Sequence, residues 1–228
     1  MERNIGISDR KEDNREVKEV ETKRATNFDL SAIINHFDLN AKNVRSLSNS
    51  IEDENSEDAK IIYRSQIVFF GSLLDFYMHE IYKYLFYQKL SREVPDKGFD
   101  KIKISMKYVV AAINSTEYMN VLLTGFTEEI SRDTYMSQQA IKEIITFGGL
   151  SYNNVTETAF KDIKNPAGRT GVIIALYKRR NEIAHQFDRN HFDAQQMDIT
   201  REDAEEYIER VTSLVYAIQD GLRELQDN

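Results

Sequence analysis

The run "YKRRNEIAHQ", residues 177–186, gathers two guanidiniums, a carboxamide and an imidazole in one short segment. Arg180, Asn181 and His185 form the spacing Arg-Asn-x-x-x-His, and these side chains suit phosphate and proton chemistry. A guanidinium fork meets a phosphate bidentately. An imidazole titrates near neutral pH and so can take or give a proton in water. Lys178 and Arg179 suit point contacts to phosphate, although a solvated basic helix end accounts for them as well.

The segment must be helical for these groups to meet. At about 100° per residue, Val172, Ile173, Leu176, Ile183 and Phe187 share one stripe of a helix expected to start near Thr170. Arg180 lies near the middle of that apolar stripe, while Asn181 and His185, four apart, stack on its flank. A buried, unpaired arginine is costly. Arg180 therefore needs either a carboxylate, such as Asp75 or Glu80 of the long helix, or a cleft where it meets phosphate. Spacing alone leaves both open.

Other constellations are weaker. His185, Asp188, His191 and Asp193 have ligand-type side chains, but they run from a helix end into a loop, and a solvated polar loop is the plainer reading, so no metal is expected. Asp75 and His79, four apart, make an Asp–His pair that is structural or supports the cleft. His36 is isolated and reads as a surface or satisfied histidine. Gly148-Gly149 lacks a phosphate-loop pattern and reads as a helix stop followed by loop.

Composition sets the frame. The 228 residues include 9 Gly and 2 Pro, so helices meet few breakers, and 41% hydrophobic content with 12 Tyr and 12 Phe gives material for a core. An all-α bundle is expected. The absence of cysteine excludes disulfides, thiolate metal sites and cysteine nucleophiles. A net charge of −8 argues against a general nucleic-acid coat, which binds by neutralising phosphates. Basic charge is instead local: residues 161–180 hold six basic residues against one acidic. The charged first residues give no expectation of a signal peptide, and the apolar run 61–86 carries Arg64, Asp75, His79, Glu80 and Lys83, which a membrane span would not tolerate. A cytoplasmic protein follows as the expectation.

Along the chain, residues 1–26 form a charged arm, and 27–57 a first helical segment with the acidic connector "EDENSED". Residues 59–92 predict one long central helix. It carries Ile62, Ser65, Phe69, Ser72, Phe76 and Tyr82 amid apolar residues on nearly every side, as for a helix that is central or shared with a second subunit. Pro95 and Gly98 end it. Shorter amphipathic helices are expected at about 101–113, 116–131 and 137–147. "NPAG", 165–168, reads as a turn, and "TRED", 200–203, as a capping box opening the last helix.

These residues together resemble the HEPN superfamily. "RRNEIAHQ" resembles its Arg-x(4–6)-His signature, "RSQIVFFGSLLDFYMHEIYKYL" its opening core helix and "TREDAEEYIERVTSLVYAIQDGL" its closing one. The chain is similar to the RiboL-PSP type over roughly residues 58–226, which leaves the N-terminal helix or arm as an addition. The resemblance implies a metal-independent endoribonuclease without a cofactor, acting as a toxin or anti-phage effector, with RNA and an antitoxin or defence-system protein as partners. It implies a homodimer, because two copies of the motif build one cleft. His185 would then be the general base or acid for attack of a ribose 2′-hydroxyl on phosphate. Arg180 would stabilise the charged transition state, and Asn181 would orient substrate or imidazole. The products would be a 2′,3′-cyclic phosphate and a 5′-hydroxyl. Relatives also include inactive dimers, which implies as an alternative a silent module for dimerisation and for binding RNA, nucleotide or protein. Gln186 stands where relatives often have glycine.

Overall fold

Ser56 accepts a hydrogen bond from the Ala59 N–H and opens the longest helix, α2 (Glu57–Leu90), with Glu57 and Asp58 favourably placed in its first turn. The computed structural model describes residues 29–91, 98–190 and 192–227. The charged arm expected at 1–26, Pro95 and His191 lie outside these. Around α2 are α1 (Leu30–Arg45), α3 (Met106–Ile113), α4 (Tyr118–Ile130), α5 (Gln138–Phe147), α6 (Tyr152–Ala159), α7 (Pro166–Gln186) and α8 (Arg201–Asp227), with no strand among the described residues. The fold is all-α, as the scarcity of breakers predicts.

α2 is the axle: α1, α4, α5, α7 and α8 all pack on it. Tyr63, Ile67, Phe70, Leu74, Tyr77, Met78 and Ile81 bury its inner faces. They meet Leu30, Ile34 and Phe37 of α1 and Val211, Leu214, Val215 and Ile218 of α8 in one apolar cluster. α1 thus shares the core of the helices that follow the acidic connector. A buried polar tie reinforces the seam. The Tyr77 hydroxyl donates to the Val215 carbonyl at 3.2 Å, and Gln219 donates from Nε2 to the Leu30 carbonyl at 2.8 Å. Phe86 extends the core outward against Leu123, Phe126 and Ile130 of α4.

Three local expectations change. The "NPAG" segment is a helix start rather than a turn: Asn165 caps the Ala167 N–H at 3.0 Å and Pro166 occupies the first helical position, where its fixed φ fits and its missing N–H is not needed. Residues after Gly149 do not stay loop, because Ser151 caps α6, which buries Tyr152, Val155 and Thr156. Phe187 leaves the apolar stripe of α7, since the helix ends at Gln186 and Phe187 turns left-handed at φ 52° with its side chain 66% exposed. The capping box forms as expected: Thr200 Oγ1 accepts from the Asp203 N–H and Asp203 Oδ2 from the Thr200 N–H.

Candidate active site

α7 is held at both ends before it can present anything. At its start, buried Arg169 donates from Nε to the Ile163 carbonyl at 2.7 Å and from Nη2 to the Lys164 carbonyl at 3.2 Å, and pairs with Glu157. At its end, the carboxylate of Asp188 is fully buried between two guanidiniums. Arg179 meets it with a two-pronged fork, and Arg64 of α2 donates to it from Nε at 2.9 Å. The second prong of Arg64 reaches the Met197 carbonyl at 2.6 Å, so the loop before α8 is tied to the same cluster. Two successive non-glycine residues, Phe187 and Asp188, sit at positive φ to make this turn. Such conformations persist only where the surroundings over-determine them.

Between these anchors, Ile173, Leu176 and Ile183 are buried and Val172 is half-buried. His185 and Lys178 are exposed, and Arg180 and Asn181 half-buried. Arg180 donates from Nη1 to Asn181 Oδ1 at 3.0 Å, which couples two of the three motif side chains and leaves the Asn181 amide free to donate. Asn181 and His185 lie one turn apart on the same face. The Asn181 carboxamide therefore links the half-buried guanidinium of Arg180 to the exposed side of α7, where the His185 imidazole stands.

The carboxylates suggested as partners for Arg180 are engaged elsewhere. Asp75 accepts the Tyr135 N–H at 2.6 Å, and Glu80 takes Lys83. His79 faces the carbonyl oxygens of Asp75 at 2.8 Å and Ile130 at 3.2 Å through its two ring nitrogens. The Asp75–His79 pair thus fastens the α4–α5 connection to α2. Lys178 lies near Glu182 at 3.6 Å and remains largely solvated, whereas Arg179 is committed to Asp188. Asp188 itself is walled in by arginines, and no group of three His, Cys, Asp or Glu suited to a metal ion occurs among the described residues. His36 is a surface histidine.

Three residues around the site carry roles that their local sequence does not announce. Arg64 stands out only as a charge in an apolar run, and Asp188 only as an acid near histidines, yet they make one buried cluster. Gly71 of α2 gives no signal at all, although its bare backbone lies directly against the stem of Arg180.

The RiboL-PSP-HEPN family model matches residues 29–224. The chain belongs to this HEPN family. The match begins at the N-cap of α1, so it takes in α1 as well as α2 to α8, beyond the extent that the sequence motifs cover. No curated protein and no solved structure matches the chain significantly. The HEPN domain here carries its Arg-Asn-x-x-x-His string on α7, packed along α2, and no helix among the described residues is long and apolar enough to cross a membrane.

Proposed function

We propose that this HEPN domain is a metal-independent endoribonuclease whose cleft forms between two copies of the chain. What supports the reading most is the motif on α7: Arg180 is hydrogen-bonded to Asn181, and His185 stands one turn on from Asn181 at the exposed surface. α2 and α7 also leave apolar groups uncovered: Ile61, Phe69 and Phe76 on α2 and Ile174 on α7, each about half exposed. Apolar exposure on this scale marks an interaction surface. A second copy covering it would bring two α7 faces together around a two-fold axis.

In such a cleft the imidazole of His185 takes the proton of a ribose 2′-hydroxyl as its oxygen attacks the adjacent phosphorus, and the second imidazole supplies a proton to the leaving 5′-oxygen. Arg180 stabilises the charge that gathers on the phosphoryl oxygens. Asn181 holds the guanidinium through its carbonyl oxygen and offers its amide to the substrate. Lys178 contributes backbone affinity. The products are a 2′,3′-cyclic phosphate and a 5′-hydroxyl. A toxin or anti-phage role fits a chain that cleaves RNA without a cofactor, with an antitoxin or defence partner to restrain it.

The test is cleavage of RNA by purified protein in EDTA. Wild type is expected to cleave, and His185→Ala and Arg180→Ala each to lose roughly a hundredfold or more while the dimer persists. Cleavage that survives both substitutions, or that EDTA stops, sinks the mechanism. A silent binding module is the second reading. It is favoured by one observation: among the described residues no hydrogen-bonding partner orients the ring of His185. RNA binding without cleavage by an intact dimer would select it.

A further inference from the structure

The stem of Arg180 lies in a slot whose walls the HEPN motif does not name. A Cβ built on Gly71 would stand 2.6 Å from Arg180 Cγ, 3.0 Å from Met136 Cε and 3.1 Å from the Tyr207 hydroxyl. The first of these is a collision with the base of the side chain, so no rotation of the fork relieves it. α2 and α7 can approach this closely only because position 71 has no side chain. The same place holds two unpaired polar atoms. Arg180 Nε and the hydroxyl of Tyr207 are both buried with no hydrogen-bond partner among the described residues, and Tyr207 is only 5% exposed. Buried donors without partners are rare, because each forfeits its hydration.

We propose that Gly71 and Tyr207 are positioning residues for Arg180: the glycine gives the guanidinium stem its bed, and the Tyr207 oxygen accepts the Nε–H. Arg180 Cγ and the Tyr207 hydroxyl both border the place that a Gly71 side chain would take, so the two orphaned groups are neighbours. Burial raises the Tyr207 pKa, against the opposing effect of the Arg180 charge, so the phenol stays neutral and accepts without becoming an ion partner. With Nε held by Tyr207 and Nη1 by Asn181, only one edge of the guanidinium is left for a phosphate. That edge is then aimed by α2 and α8 rather than by α7 alone. Preorganised donors of this kind need no reorganisation when charge develops.

The inference rests on the ribonuclease reading for its catalytic consequence, but not for its geometry. In wild type, the Arg180 Nε–H resonance, assigned by its loss in Arg180→Lys, should exchange slowly with water. Tyr207→Phe keeps the ring and its packing and should speed that exchange roughly tenfold. It should also lower kcat for RNA cleavage by roughly three- to tenfold with KM little changed. Gly71→Ala should lower kcat roughly a hundredfold in a protein that still dimerises. If that variant does not fold, Tyr207→Phe decides alone. Unaltered Nε–H exchange in Tyr207→Phe, or faster exchange with cleavage at the wild-type rate, overturns the proposal. A wild type that binds RNA without cutting it removes the ribonuclease reading and leaves the exchange measurement to decide the slot.

Discussion

Asp188 shows how a single residue shapes the region behind the motif. Its buried carboxylate answers two arginines, Arg64 and Arg179, and its backbone continues the left-handed turn begun by Phe187. Asp188→Ala would leave the buried guanidinium of Arg64 facing the partly buried one of Arg179. Removing one partner of a buried ion pair costs about 3–5 kcal/mol, so urea unfolding should show a loss of that order, and a loss below about 1 kcal/mol would contradict the assignment of Asp188 as a clasp. Phe187 offers the opposite sign. Its side chain is mostly exposed and its φ is 52°, so Phe187→Gly removes steric strain at little packing cost. A stabilisation of about 0.5–1 kcal/mol is expected in the same assay, and a destabilised variant would mean that the ring packs more than its exposure implies.

Helix ends rather than helix middles set the element scale. The Thr200–Asp203 box starts α8 with reciprocal hydrogen bonds at 3.2 and 2.9 Å. Thr200→Ala should cost about 1 kcal/mol, read as a lower urea midpoint with an unchanged slope. After α6, Asp162 receives both prongs of Arg210 of α8 at 2.7 Å. The Arg210 hydrogen bonds hold the Asp162 carboxyl below the usual carboxylate range. A depressed folded pKa contributes stability that is fully present above the unfolded value, about 4, and is lost as pH falls through the folded one. The melting-temperature gap between wild type and Asp162→Asn should therefore be constant from about pH 7 to 5 and close below about pH 4. A gap that persists into acid would show that the asparagine is tolerated poorly for another reason.

For the whole molecule the open question is what covers α2. A helix packed by five others still presents Ile61, Phe69 and Phe76 to solvent at spacings that keep them on one face. On the dimer proposal, Phe69→Glu with Phe76→Glu places two like charges into the two-fold seam. Sedimentation should then give monomers of unchanged helical content, and cleavage should fall with dimerisation. Monomers that cut RNA at the wild-type rate would require a cleft contained in one chain.

Much of this was legible in the linear chain. Apolar residues at helical spacing located α2, α4, α5 and α8 to within a few residues, and the Arg-Asn-x-x-x-His string put the motif groups on one helix. "NPAG" has the composition of a turn, and what makes it a helix start is the backbone bond from the Arg169 N–H to the Asn165 carbonyl, which the capping bond to Ala167 alone would not establish. Phe187 was misread because a wheel assumes that the helix continues, whereas Asp188, drawn inward by Arg64 and Arg179, forces the chain to turn. The identity of the chemical groups and their order along α7 come from the sequence, since short-range spacing is fixed by helix geometry. Which arginine is spent on Asp188 and which is not was decided in three dimensions. Asp188 lies only 9 positions from Arg179, but it is held in place by Arg64, 124 positions from it, and the bed of Arg180 is Gly71 of another helix. Arg179 and Arg180 are neighbours in the chain, yet one is locked by Asp188 and Arg64 while the other rests on Gly71 beside Tyr207.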